Sequence, residues 1–329
     1  MVNPFFKDAR ILITGAAGLI GSNLVVRLLE TRANVRAVVH HAQPLIIDPR
    51  IEYLTLDLTT ADACREAVRG VHYVFHCAAN TPGAAMTVSE PLKFVTSNIL
   101  IDTHLLQAAY EAGVKKFLWL SSATTAYPPA EHAVGEGEMF DGGPYEKYFF
   151  VGWSKRFTEV LCRMYGEKLE KPMTTIVLRL TYVYGPNDNF DPKSSHVIPA
   201  LIRKVVERQD PVEVWGTGQE IRDTLYVDDA VAAMLTAMAR VDRYDVFNIG
   251  LGQGYSVRQI LDMILELDGY VNARVVFDPT RPTTIPVRLV DTTKAERRLG
   301  FKAKTDLSPG LAQTLAWYRR ERARAPSLL

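Results

Sequence analysis

Eight residues, Thr14-Gly15-Ala16-Ala17-Gly18-Leu19-Ile20-Gly21, follow the apolar run Ile11-Leu12-Ile13 and open an amphipathic stretch that ends near Glu30. The three glycines have separate uses. Gly15 lets the chain leave a strand sharply, Gly18 lets backbone approach a phosphate, and Gly21 lets the next helix pack close to the sheet. The N–H groups that open the helix, around Ala17, Leu19 and Ile20, then face a ligand unpaired. Strand, turn and helix N-terminus in that order make a cradle for the pyrophosphate of a dinucleotide. The next strand ends Val38-Val39-His40-His41. An acid there would accept from the adenosine ribose and select NAD, whereas a basic residue tolerates a 2′-phosphate. With no acid present, His40, His41 and nearby Arg36 lean the expectation toward NADP, with NAD still open. Asp57, beside Leu58, could accept from an adenine amino group. Ala78 and Ala79, after His76-Cys77, leave room for a flat ring or a ribose against backbone.

The elements that must hold these residues alternate. Strands are expected at 10–14, 34–39, 71–76, 115–121 and 173–180, with a further strand-like run closing at Leu56-Asp57-Leu58. Helices are expected at 18–31, 61–69, 96–112 and 150–170. That order implies an α/β fold with a Rossmann-type, doubly wound parallel sheet. Its strands are nearly continuous apolar runs, as strands covered on both faces are. After Arg179 the texture changes: 185–195 is rich in Gly, Pro, Asn, Asp and Ser and leaves the sheet as a loop. Helices at 197–208, 228–240, 256–268 and about 308–322, with strands at 212–215 and 246–249, follow. The division expected is a dinucleotide-binding domain from 1–180 plus about 222–250, and a smaller C-terminal substrate-binding lobe from 181–221 and 251–329.

The 329 residues are 47% hydrophobic and 23% charged, with a formal net charge of +1. This balance gives no electrostatic case for nucleic acid or an anionic membrane. Cys64, Cys77 and Cys162 are far apart and form no CxxC pair, which speaks against a disulfide framework or a metal site. Residues 1–10 lack a signal-peptide core and no run reaches membrane-spanning length, so a cytoplasmic protein is expected.

Further strings sharpen the picture: Leu120-Ser121-Ser122 at a strand end, Gly152-Trp153-Ser154-Lys155 on a helix, and Tyr184-Gly185-Pro186. With the glycine turn and His76-Cys77-Ala78-Ala79, this ordered set resembles the extended short-chain dehydrogenase/reductase family of nucleotide-sugar enzymes across nearly the whole chain. The C-terminal half is most similar to the GDP-L-fucose synthases. The matching strings are Gly185-Pro186-Asn187-Asp188-Asn189-Phe190, Ser195-His196-Val197-Ile198-Pro199-Ala200-Leu201, Val214-Trp215-Gly216-Thr217-Gly218 with Arg222, and Pro286-Val287-Arg288-Leu289-Val290-Asp291. The resemblance implies a nucleotide-sugar substrate, an NAD(P) cofactor and a homodimer built on the helices near 96–112 and 150–168. It assigns Ser122 to the reacting sugar oxygen, Lys155 to the nicotinamide ribose and His196 to acid chemistry. Val183 and His196 join the cofactor set, and Thr124, Asn189, Lys204, Trp215, Arg222 and Arg288 the substrate set. Trp215 could instead be a core residue of a short strand.

Two positions depart from the family pattern. The acid/base tyrosine is expected four residues before the lysine, one helical turn away, and that position is Val151. Tyr148 and Tyr145 are the nearest alternatives. Tyr148 lies about 10 Å along a regular helix axis from Lys155, so it serves only if the helix starts late or irregularly. The cysteine used for epimerisation in the fucose synthases is replaced by Thr124 or Thr125, and a hydroxyl is a far poorer base than a thiolate. Tyr182 stands where the family usually has Asn. The expectation is therefore an oxidoreductase or epimerase working at C4 of a nucleotide-activated hexose, a GDP-linked 4-keto-6-deoxy hexose being one candidate. Tyr148 would be its acid/base, assisted by Lys155. The alternatives are a C4-epimerase or dehydratase, or a non-catalytic NAD(P)-binding protein.

Overall fold

The computed structural model describes residues 4–81, 91–281 and 283–324. Along the chain the strands are β1 Arg10–Thr14, β2 Asn34–Val39, β3 Ile51–Thr55, β4 Tyr73–His76, β5 Lys116–Ser122, β6 Ala133–Val134 and β7 Thr174–Leu180. They continue as β8 Tyr182–Tyr184, β9 Val212–Trp215, β10 Ile221–Tyr226, β11 Asp245–Ile249, β12 Gly254–Ser256, β13 Val275–Asp278 and β14 Val287–Val290. Seven of them form one sheet in the order β3-β2-β1-β4-β5-β7-β11, parallel throughout. The order reverses between β1 and β4, which opens a crevice at the carboxyl ends of those two strands.

Helices cover both faces, so the sheet is doubly wound as expected. Leu19–Leu29, Val227–Arg240 and Thr293–Leu299 pack on one face through Leu24, Leu28, Met234, Met238 and Leu299. Ala61–Val68, Pro91–Glu111 and Phe149–Arg163 pack on the other through Ala67, Leu105, Leu106 and Cys162. Among the described residues no helix is long and apolar enough to cross a membrane.

A smaller sheet is centred on β10, which runs parallel to β8 and β14 and antiparallel to β12. β14 also takes β6 as a partner. Thus β10, at the head of the 222–250 segment, lies in the smaller sheet, while β11 closes the main one. β6, from within 1–180, crosses the other way. No strand was expected at 221–226, because Arg222 and Asp223 interrupt the apolar pattern.

Candidate active site

The crevice is built first from backbone. Gly15 sits at φ 67°, and a Cβ there would lie 2.8 Å from the backbone of Ala78. A Cβ at Gly21 would collide with the Gly15 carbonyl, so helix and turn meet only through glycine. At Gly18 the nearest atom to such a Cβ is the Gly15 oxygen at 3.4 Å. The chain leaves room there, so the demand for glycine comes from whatever approaches from outside. Gly18 caps the Leu19–Leu29 helix with no side-chain bond, leaving the first-turn N–H groups to an incoming anion. Open Cβ space and uncapped donors at the switch point fit a dinucleotide pyrophosphate.

Beside the cradle, Thr14 Oγ1 accepts from the Ala78 N–H at 3.1 Å, tying β1 to the end of β4. Ala78 is half-buried and Ala79 exposed, while Leu58 is buried under the β3 end. His40 and His41 are exposed at the end of β2 with ring centres 3.6 Å apart. Asp57 is exposed nearby. The Thr59 hydroxyl and N–H, then His40 and His41, hold its carboxyl below the usual range. Arg36 takes no part, which corrects one ground for expecting NADP. Opposite Glu52 on β3, it binds that carboxylate at 2.9 and 3.0 Å and donates to the Ala67 and Arg69 carbonyls. Four residues of strand, about 13 Å, separate it from His40.

The far wall carries the catalytic candidates. Ser122 ends β5 and N-caps the short helix Ala123–Ala126, its Oγ accepting from the Thr125 N–H at 3.1 Å. Thr124 is buried in that turn, and the Thr125 hydroxyl is buried with no partner. A Cβ at Gly152 would collide with the Thr125 carbonyl, so the lysine helix lies directly against the Ser122 turn. Lys155 is half-buried, with its ammonium turned inward to donate to the Leu120 carbonyl at 3.1 Å. The helix does start late: a tight turn at Glu146–Tyr148 precedes Phe149–Arg163. The Tyr148 hydroxyl, however, faces Thr284, Tyr182 and Arg222. Tyr148 and Lys155 are therefore not brought together, because the phenol turns into the smaller sheet. Burial is the main cause pushing that phenol well above its ordinary range, with Tyr182 adding and Thr284 and Arg222 opposing.

In that sheet Arg222 of β10 and Arg288 of β14 stand directly opposite each other. They are 3% and 0% exposed. Arg222 donates to the Ile221 and Pro286 carbonyls at 2.9 and 3.2 Å and to Thr284 Oγ1 at 2.6 Å. Arg288 donates from Nη2 to the Pro128 carbonyl at 2.9 Å, while its Nε and Nη1 have no partner. Among the described residues no carboxylate pairs with either guanidinium. Two like charges opposed across strands and out of water repel, so this arrangement calls for an anion. At Thr284, to which Arg222 donates, opens a cavity of about 260 Å³, lined also by Tyr145, Thr217, Gln219 and Glu220.

A family model, the NAD dependent epimerase/dehydratase family, matches residues 11–250. The chain belongs to that family. It is 31% identical over 321 residues to GDP-L-fucose synthase 1 of Arabidopsis thaliana, covering 95% of this chain and 94% of that one. The UDP-glucose 4-epimerase of Thermotoga maritima, solved with UDP-glucose, superposes with a TM-score of 0.86 at 29% identity, covering 95% of this chain and 99% of that one. MoeE5, solved with UDP-glucuronic acid and NAD, superposes with a TM-score of 0.83 at 30% identity, covering 95% and 100%.

The remaining candidates of this epimerase/dehydratase fold lie around the lobe. Trp215 is 42% exposed at the end of β9, so it is not a core residue. Its indole N–H donates to Glu213 Oε1 at 3.0 Å, with Arg281 over the ring at 5.6 Å. Lys204 gives its ammonium to the Glu213 carbonyl at 2.5 Å behind that strand. Asn189 is exposed and holds its own loop through Ser194 and Asp191. His196 is exposed at the N-cap of Val197–Val206, and Val183 lies in β8 beside Tyr182. Thr284 was missed, since a threonine in an irregular loop carries no pattern. Asp102 was missed although it interrupts the apolar face Leu105-Leu106-Ala109 of its helix, a readable signal.

Proposed function

We propose that this protein is an NAD(P)-dependent reductase or epimerase acting at C4 of a nucleoside-diphosphate hexose, with a GDP-linked 4-keto-6-deoxy hexose the first substrate to try. The Arg222–Arg288 couple carries this reading: a diphosphate brings two negative charges to two buried guanidiniums with no paired carboxylate among the described residues. The 260 Å³ cavity beside it, with Trp215 beyond, suits the sugar and the base.

A dinucleotide held in the glycine cradle would supply hydride chemistry at C4. The chain's own residues manage the proton on O4. Ser122 already accepts from Thr125 N–H, which leaves its hydroxyl proton to donate to that oxygen. Tyr148, held neutral by burial, is the proton donor in the reducing direction, and Arg222 rather than Lys155 steadies the phenolate left behind. Lys155 commits one N–H to Leu120 and keeps two for a ribose. The cradle residues from Ala17 to Gly21, with Asp57, Leu58, Ala78, Ala79, Val183 and His196, bind the cofactor; NADP is the first candidate and NAD the second. With threonine at 124 and 125, His196 has no thiolate partner, and a plain 4-reductase or C4-epimerase is favoured over a full fucose synthase. The exposed stripe Phe149, Phe150, Trp153, Phe157 and Val160 on the lysine helix supports a homodimer.

One observation favours a second reading, a dinucleotide-binding protein without turnover: Val151 holds the usual tyrosine position and Tyr148 lies apart from Lys155. Oxidation of NADPH and NADH is measured with GDP-4-keto-6-deoxymannose and other nucleotide-linked 4-keto sugars. Turnover is expected, and Tyr148→Phe is expected to lower kcat by about 10²- to 10⁴-fold. Dinucleotide binding with neither oxidation on any of these sugars nor inversion at C4 of the corresponding nucleotide-linked hexoses, read by NMR, would establish the second reading instead.

A further inference from the structure

Behind the crevice lies a buried carboxylate that this chemistry does not use. Asp102, in the helix Pro91–Glu111, is 5% exposed. Its Oδ1 meets His76 Nε2 at 3.0 Å and accepts from the Trp119 indole N–H at 3.2 Å, while Oδ2 accepts from the Thr158 hydroxyl at 2.8 Å. The same indole carries Lys155 on its face, the ammonium 4.5 Å from the ring centre. Thr158 stands one turn after Lys155 on the same helix. Carboxylate and ammonium are thus fixed to one indole and one helical turn.

The charges facing Lys155 come from Asp102 and, on its own helix, from Glu159 and Cys162. Glu159 is already bound by Arg179 at 2.7 Å and by Ser121 at 2.5 Å. Burial pushes the Cys162 thiol far up, so it stays neutral. At His76, Nδ1 lies 2.7 Å from Thr14 Oγ1, which already accepts from Ala78 N–H. Nε2–H of His76 can donate to Asp102 while Nδ1 accepts the Thr14 hydroxyl proton. Burial opposes it, but His76, Lys155 and Thr158 together hold the Asp102 carboxyl below its usual range, so it faces Lys155 as a carboxylate. Burial pulls the lysine below its usual range, and Asp102 is the first group opposing that.

We propose that Asp102 is a positioning residue, the counter-charge that holds the Lys155 ammonium protonated and in place across the Trp119 indole. Its relevance to cofactor binding rests on the reading of Lys155 given above, whereas the pairing itself does not.

The test is a double-variant cycle by thermal unfolding, with Asp102→Asn, Lys155→Met and both together. Asp102→Asn leaves the Lys155 ammonium without the carboxylate that faces it across the indole, so it should lower Tm at pH 7 by about 5–10 °C. Adding Lys155→Met should recover at least half of that. A lysine with a depressed pKa costs stability in full below that pKa and progressively less up to its unfolded value of about 10.4, so the Asp102→Asn deficit should shrink as pH rises toward 10. Additive losses, or a deficit constant with pH, would show that Asp102 acts only through Trp119 and Thr158. If Asp102→Asn is insoluble, recovery of soluble protein in the double variant supports the pairing, and no recovery overturns it. NADH and NADPH titrations by fluorescence separate the two readings. Wild-type protein that binds neither removes the cofactor reading while the unfolding cycle still decides the pairing.

Discussion

The two anion sites proposed for this chain are built on opposite electrostatic terms. The glycine turn carries no formal charge: its positive field comes from peptide N–H groups at a helix end, which water can satisfy when no ligand is present. The Arg222–Arg288 couple brings two full charges out of water, and among the described residues no carboxylate pairs with either. The first site is stable whether filled or empty, and what it needs is a precise close approach of backbone. The second gives up stability when empty and regains it on binding, so its design shows as strain in the free protein.

That contrast is broken most severely at the turn. Gly21→Ala drives a methyl into the Gly15 carbonyl with no flexible side chain to yield. Dinucleotide affinity should fall at least about 100-fold, with a loss of stability on the order of 3 kcal/mol or more. Calorimetric titration and chemical unfolding read both. Gly18→Ala, where the protein itself leaves room, should fold normally and lose affinity alone. A Gly18→Ala protein that binds as wild type would mean that no phosphate approaches there.

At the arginine couple the two readouts should part in sign. Arg288→Met removes a buried charge with two unpartnered nitrogens. The free protein should gain about 1–3 kcal/mol of stability, while affinity for a nucleoside diphosphate or its sugar falls about 10- to 100-fold. A variant that loses stability as well as affinity would make Arg288 a strut for the Tyr127–Pro128 loop, to which it donates.

How far each site could be read from sequence follows from the same contrast. The turn is local: strand, glycines and helix are consecutive, so the roles of Gly15, Gly18 and Gly21 are legible in the sequence alone. The long helices and the apolar strands of the main sheet were legible for the same reason, each being a period within one segment. β10 was not, since Arg222 and Asp223, at 3% and 0% exposure, put charges where a central strand should be apolar. β6, β8 and β12 are two or three residues long, too short for any alternation. The direction of Tyr148 was equally hidden. The sequence spacing showed that the helix would have to start late, which it does. That the phenol then turns toward Arg222 depends on β10 and β14, strands that come some 75 and 140 residues later. Arg36 failed by the reverse route: a charge near a strand end looked free, while its cross-strand partner Glu52 lay in the neighbouring strand.

The smallest effect expected is cofactor choice, because the β2 end holds neither the acid that selects NAD nor an arginine free to clasp a 2′-phosphate. His40 and His41 offer only imidazole N–H donors and ring faces there, and the ionised Asp57 lies nearby. Wild-type protein should therefore bind NADPH and NADH within about 10-fold of each other. His40→Asp supplies the missing acceptor for the ribose hydroxyls and repels a phosphate, so the ratio should move toward NADH by about 10- to 100-fold. His41→Arg should move it a few-fold toward NADPH. Dissociation constants for both cofactors, measured by nicotinamide fluorescence at one ionic strength, read the two shifts. If neither substitution moves the ratio, the adenosine ribose does not lie against the β2 end, and the cradle would be reading the pyrophosphate alone.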